Sequence, residues 1–368
     1  MAAGDPGNHD TVDTLCGLIL STLSFVEQIQ NRFHPFTLSH FEKELRSVKT
    51  DLNKAINAVE NGSCPAENSD RPSLVEAAIL LDRALSLLLA STDTEQRVVN
   101  FMKATRRCCR AQELLFSIRQ RFVAVDRYFL EPQALKCIGA ELTNSAPDLK
   151  TGLHHIGMDE TPYARGGFSL YIPDQCDRGE ALPLIVALHG GFGHGRDFIW
   201  TWLREARSRG FLLLAPTSRD TTWSFFNPDS DGIRIERALR YVTERWPIDY
   251  SRLLLTGISD GAIFTLTWGL RKESPFSALA PVSAVLHPID LSHARRHRIL
   301  WVHGALDWMF PPQHAKQGYA LLQRAGANIK LRIVEDLAHA YPREQNDCIL
   351  RWFDPSMDYA NRSHLGKT

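Results

Sequence analysis

A chain of 368 residues is long for one compact domain, so two are expected. Its 44% apolar and 23% charged residues are ordinary for a globular protein and exclude a collagen-like or disordered chain. Lys plus Arg equals Asp plus Glu at 42 each, and this balance lacks the basic excess of a dedicated nucleic-acid binder.

The cysteines, Cys16, Cys64, Cys108, Cys109, Cys137, Cys176 and Cys348, are odd in number and scattered, with no metal-ligand spacing. Reduced thiols in a cytoplasmic protein are expected. Met1 to Asp13 carries no Lys or Arg, and the following stretch, Leu15 to Val26, is interrupted by Ser and Thr, unlike a signal peptide. No run approaches 18 uninterrupted apolar residues, so no membrane span is expected.

The first third reads as helices. Leu15, Leu18, Ile19, Leu23, Val26 and Ile29 recur at threes and fours within Thr11 to Phe33, and His34-Pro35-Phe36 ends the pattern. Thr37 or Ser39 can cap a second helix with Phe41, Leu45, Val48, Leu52, Ile56 and Val59 as its expected buried stripe. Asn61 to Pro72 is a loop, and Ser73 to Ala90 a Leu- and Ala-rich third helix. Thr92 or Asp93 can cap a fourth, running to Tyr128-Phe129, about 55 Å if unbroken. Its basic residues, among them Lys103, Arg106, Arg107 and Arg110, read as a solvated face. Short connections between amphipathic helices indicate an antiparallel bundle, suited to homo-oligomer formation or to flanking an active-site entrance.

From Leu149 the period changes. Gly152 to Met158, Gly167 to Pro173, Leu182 to Leu188, Gly210 to Pro216, Arg252 to Thr256, Ala278 to Val285, Ile299 to His303 and Ile329 to Val334 read as strands. Helices are expected at Arg196 to Arg209, Asp231 to Trp246, Ala262 onward, Pro312 to Arg324 and Pro342 to Phe353. This alternation implies a doubly wound, mostly parallel sheet, preceded by the all-α helical bundle. The expected domains are 1–145 and 146–368.

Gly257-Ile258-Ser259-Asp260-Gly261 lies between the strand ending at Thr256 and the helix opening at Ala262. A serine on a strand-to-helix turn, with glycine two residues to either side, is a nucleophile elbow. A serine nucleophile needs a base, and the base needs a third group to fix its tautomer. In elbow-type sites an Asp or Glu and then a His follow the serine. Asp307 is the best acid, because it follows the strand ending at His303 and so shares the elbow's rim; Asp336 stays open as the alternative. His339 follows the last strand by a short loop, whereas His314 falls in a helix and His364 in a polar tail. The oxyanion donors are then the amides of Asp260 and of Gly191, or less well Phe192, in His189-Gly190-Gly191-Phe192.

From about residue 150 to 355 the chain resembles the α/β-hydrolase superfamily. Within it, the likeness is to the carboxylesterase and phospholipase-like group with its polyhydroxybutyrate-depolymerase-like and feruloyl-esterase-like relatives. Leu188-His189-Gly190-Gly191, Pro247 to Arg252 leading into the elbow, and His303-Gly304 with Asp307 and Pro311 carry the resemblance. It implies a serine ester hydrolase without metal or organic cofactor. The first third lies outside it. Aromatic residues in loops at strand ends, Phe192, Trp223 and Trp308, are the candidate pocket walls. A small or short-chain ester is the expected substrate. A lysophospholipase, thioesterase or peptidase uses the same residues, and a non-enzymatic interaction protein on a hydrolase scaffold is the reading of another class.

Overall fold

The computed structural model describes residues 6–61, 70–90, 93–137, 151–157, 161–174, 176 and 179–359. The chain divides into two compact units, Met1–Phe129 and Leu130–Thr368.

The first unit is helical: α1 (Pro6–Asn31), α2 (Glu42–Asn61), α3 (Arg71–Leu89), α4 (Thr94–Ile118) and α5 (Val123–Tyr128). Leu15, Ile19 and Ile29 of α1, Leu52 of α2, Leu81 and Leu85 of α3, and Leu115 of α4 have no exposed surface. The helical period therefore places one apolar stripe of each helix in a shared core. By length and apolar composition alone, Thr11–Asn31 could also cross a membrane, with 39% of that window buried inside the unit.

Asp93 caps α4, its Oδ1 accepting the Gln96 N–H at 2.8 Å. Thr37 does not cap α2: its hydroxyl donates to the His34 carbonyl, and a 3₁₀ turn, Leu38–Phe41, precedes the helix. The expected continuous fourth helix is broken at Arg119–Arg121 and extended Phe122. A straight helix would hold residues 116 and 129 about 20 Å apart. The break instead brings the Phe116 and Phe129 rings to 5.1 Å and buries Val125 completely. Part of the expected 61–72 loop and Thr92 lie outside the described residues.

The second unit opens with α6 (Pro132–Cys137), β1 (Gly152–Ile156), β2 (Phe168–Ile172) and β3 (Leu182–Leu188). Then follow α7 (Gly195–Phe198), α8 (Leu203–Arg209), β4 (Leu212–Pro216), α9 (Asp229–Thr243), β5 (Ile248–Ile258), α10 (Asp260–Gly269) and β6 (Ala278–Val282). The chain closes with β7 (Arg298–Gly304), α11 (Pro312–Arg324), β8 (Asn328–Val334) and α12 (Asn346–Phe353). The strands form one eight-stranded sheet in the order β1-β2-β4-β3-β5-β6-β7-β8. β2 pairs antiparallel with both β1 and β4, and β4 through β8 are all parallel. Every residue of β4 and β6 is buried. Successive side chains point to opposite faces, so the centre of the sheet is covered on both sides, as the unbroken apolar runs imply.

The helix expected over 196–209 is interrupted by a 3₁₀ turn at Ile199–Thr201. The interruption frees the Thr201 carbonyl, which accepts from Asn346 Nδ2 at 2.7 Å. The division at Phe129/Leu130 falls ahead of the expected 145/146, a position outside the described residues. Glu131 is bonded within the second unit. The buried Arg209 guanidinium binds both oxygens of that carboxylate, at 2.8 and 2.5 Å, and Asp347 at 2.7 Å. The Tyr359 hydroxyl donates to Glu131 Oε2 at 2.8 Å.

Candidate active site

Parallel strands end on one rim, and the residues singled out in the sequence follow the ends of β3, β5, β7 and β8. Ser259 sits between β5 and α10 at φ 53°, ψ −121°. Phe192 (φ 58°) after β3 and Ser283 (φ 49°) after β6 share this left-handed backbone. A side-chain-bearing residue held there costs about 1–3 kcal/mol, and such strain collects where geometry is over-determined.

The loops after β7 and β8 are laced together. Ala305 N–H donates to the Val334 carbonyl at 2.8 Å, and Leu306 N–H to Leu337 at 3.0 Å. That lacing carries Asp307 to His339, whose Nδ1 lies 3.0 and 2.9 Å from the two carboxylate oxygens. His339 Nε2 lies 2.9 Å from Ser259 Oγ. A carboxylate only accepts, so Nδ1 carries the proton and Nε2 is left to accept the Ser259 O–H. Asp307 also accepts the Met309 and Phe310 N–H groups, at 3.1 and 2.7 Å. Burial opposes its charge, but the His339 bond and these amides hold its carboxyl below the usual carboxylate range. Asp336 is exposed, and His314 belongs to α11; His364 lies outside the described residues.

His303 was passed over in the sequence except as part of a resemblance. It is fully buried beneath Asp307, its Nε2–H donating to the Phe310 carbonyl at 2.7 Å. Burial lowers its pKa, so it stays neutral next to the carboxylate. The rings of Phe310 and Trp308 stand edge-on to His339 at 5.1 and 6.5 Å.

The glycine loop after β3 is held from below. His189 Nδ1–H donates to the Gly190 carbonyl at 2.7 Å, and its Nε2 accepts the Ser218 N–H at 3.1 Å. Full burial pushes its pKa down to about 3. Trp223 is in the core under this loop, its Nε1–H donating to the His189 carbonyl at 2.7 Å and its ring stacked on Phe264. Only 2% of it is exposed, so it supports the loop instead of walling a pocket. Phe192 is 62% exposed, and its amide donates to the Thr221 carbonyl at 2.6 Å. That bond engages the Phe192 amide, the lesser of the two expected glycine-loop donors. The Asp260 amide opens α10, where the helix macrodipole is positive.

Three residues that the sequence reading missed, Thr222, Asp231 and Arg165, brace these loops. Arg165 donates to the Gly193 carbonyl at 3.0 Å and the Asp220 carbonyl at 2.6 Å. An Asp in the first turn of a helix was the one available signal, and it fits Asp231 in α9.

No family model and no curated protein matches the chain. Among solved structures it is similar to a thermostable esterase, with 19% identity, a TM-score of 0.40 and 55% of this chain covered. The chain spans 58% of that esterase's length. It is similar to the acetyl xylan esterase from Aspergillus awamori (16% identity, TM-score 0.44, 55% of this chain and 98% of that one). S-formylglutathione hydrolase from Staphylococcus aureus gives 14% identity and a TM-score of 0.44 over 56% of this chain and 98% of that one. The fold assignment rests on the chain's own topology. With this strand order, a strand-to-helix turn at Ser259 after β5, and an acid and a histidine following β7 and β8 on the same rim, the described residues of the second unit have the doubly wound, mostly parallel α/β-hydrolase fold.

Proposed function

We propose that this domain is a serine hydrolase of carboxylic esters acting through an acyl-enzyme on Ser259. The carrying observation is the continuous hydrogen-bond line from Ser259 Oγ through His339 to Asp307. Ser259 Oγ attacks the ester carbonyl carbon while its proton passes to His339 Nε2. The N–H groups of Gly191 and Asp260 receive the oxyanion. Collapse of the tetrahedral adduct breaks the ester C–O bond, and His339 returns the proton to the departing alkoxide. Water then attacks the acyl carbonyl, gives a proton to His339, and the second collapse frees the acid and restores Ser259. Asp307 keeps Nδ1 protonated and stabilises the imidazolium in both halves. Phe192 and Trp308 serve as pocket walls in this reading, which favours small or short-chain esters. The unbridged Cys16, Cys108, Cys109, Cys176 and Cys348 fit a reducing compartment, the cytoplasm being the expected one.

Ser259→Ala is expected to lose at least about 10³-fold of p-nitrophenyl acetate turnover, and all fluorophosphonate labelling, at an unchanged melting temperature. Full activity in that variant would overturn the proposal. A panel of thioesters, lysophospholipids and peptides separates the ester reading from its relatives.

A further inference from the structure

The loop joining β4 to α9 is anchored on one side and reaches the active-site rim on the other. Its anchor is Asp231, which has no exposed surface and accepts from Arg219 N–H (2.7 Å), Ser224 N–H (2.9 Å) and Ser224 Oγ (2.8 Å). Toward the rim, the Thr221 carbonyl takes the Phe192 amide, and the Thr222 hydroxyl donates to Asp260 Oδ2. That same Oδ2 stands against Gly191: a Cβ added there would come within 2.6 Å of it. A carboxylate oxygen therefore lies against the Cα of Gly191, the residue whose amide is to receive the oxyanion, and is held by a hydroxyl from a third loop.

Resting on the serine-hydrolase reading, we propose that Thr222 is a positioning residue for the oxyanion hole, acting through the Asp260 carboxylate. A carboxylate is an acceptor with two oxygens and no donor. Released from Thr222, it turns onto the adjacent Gly191 N–H and occupies the donor that the tetrahedral intermediate needs. The same release frees the spacing between the Gly191 and Asp260 amides, which matters because oxyanion donors act only at 2.7–3.1 Å from the developing charge. Asp231 fixes the loop that delivers the hydroxyl.

The test compares Thr222→Val, Thr222→Ser, Asp260→Ala and the double variant Thr222→Val/Asp260→Ala, with melting temperatures recorded throughout. Thr222→Val, nearly isosteric but without the hydroxyl, is expected to lower kcat on p-nitrophenyl acetate about 10- to 100-fold with KM within about twofold. Its affinity for a trifluoromethyl ketone, which forms a tetrahedral oxyanion on Ser259, falls by the same factor. Thr222→Ser stays within about threefold of wild type. With Asp260→Ala already made, Thr222→Val has no further effect on kcat, because its route to the hole is gone. Wild-type kcat in Thr222→Val, or an equal loss from that change in both backgrounds, overturns the proposal and leaves the hydrolase reading standing. Absence of turnover by the wild type removes both together.

Discussion

Burial and hydrogen bonds act on Asp307 in opposite directions, and the hydrogen bonds prevail. Its depressed pKa means that it stays ionised through the mildly acidic range, so loss of activity there would not come from its protonation. Changing it to Asn places an NH₂ group opposite His339 Nδ1 and inverts the tautomer, leaving Nε2 protonated and unable to take the Ser259 proton. Asp307→Asn is expected to lower kcat on the order of 10⁴-fold, and Asp336→Asn to stay within about twofold. A larger loss from Asp336→Asn in side-by-side kinetics would transfer the role to that residue. Both Asp307 and His339 were legible because each follows an apolar strand by a short loop, and parallel strands deliver such loops to one rim. Thr222 was illegible for the opposite reason. Its meaning lies in Asp260, 38 residues on, and nothing local marks the contact. Trp223 was misjudged on similar grounds: the aromatic ring in a strand-end loop signalled a pocket wall, but its indole N–H found the His189 carbonyl and turned the ring into the core.

At the scale of elements, the elbow explains its own glycines. A Cβ on Gly261 would lie 2.4 Å from the carbonyl oxygens of both Leu188 and His189, so β3 and α10 can approach only because residue 261 has no side chain. These are backbone atoms and cannot swing aside. Gly261→Ala is expected to cost about 1–3 kcal/mol by overpacking and to displace the glycine loop from the serine. Thermal unfolding reads the first effect and the rate of fluorophosphonate labelling the second. An alanine variant with wild-type values in both would mean that the close approach is not required. The central strands β3, β4 and β6 were readable from their apolar runs. Helix continuity was not: α4 and the 196–209 segment each keep helical periodicity across a break. The breaks serve partners far away in sequence, Phe129 on Phe116 in one case and Asn346 on the Thr201 carbonyl in the other. A periodic pattern reports which face is apolar and says nothing of where the axis turns.

Over the whole molecule, charge that is buried sets the response to acid. Burial holds His189 down to about 3 and lowers His297 and His303 as well. Unfolded histidine takes up a proton near pH 6.5, so below that pH the unfolded chain binds protons that the folded chain refuses. Each such histidine then withdraws up to about 1.4 kcal/mol of stability per pH unit until its folded pKa is reached. Glu205 acts the other way. Its buried carboxyl is raised to about 7, so the folded form is the better proton binder between pH 4.5 and 7, and acid favours it there. Between pH 7 and 5.5 the Glu205 carboxyl therefore offsets what the histidines withdraw, but below its unfolded value of 4.5 it gains little more while His189 still refuses its proton. The urea midpoint is expected to fall from pH 4.5 to pH 3.5, and a midpoint flat across that interval would contradict the account.

The pairing of Arg209 with Glu131 also decides where the chain can be divided. Strand-like periodicity begins near residue 150, and a fragment cut at 146 would follow that pattern. Such a fragment abandons Glu131, taking the bidentate carboxylate from a fully buried guanidinium that keeps Asp347 and the Met357 carbonyl, and taking from the Tyr359 hydroxyl the carboxylate it donates to. Removing one partner from a buried ion pair costs about 3–5 kcal/mol, and the remaining Asp347 offsets part of it. Fragment 130–368 should therefore have a higher urea midpoint than fragment 146–368, and equal midpoints would show that the pairing is dispensable. For expression, limited proteolysis or grafting onto another protein, the sheet-bearing domain thus starts at a carboxylate some twenty residues upstream of its first strand.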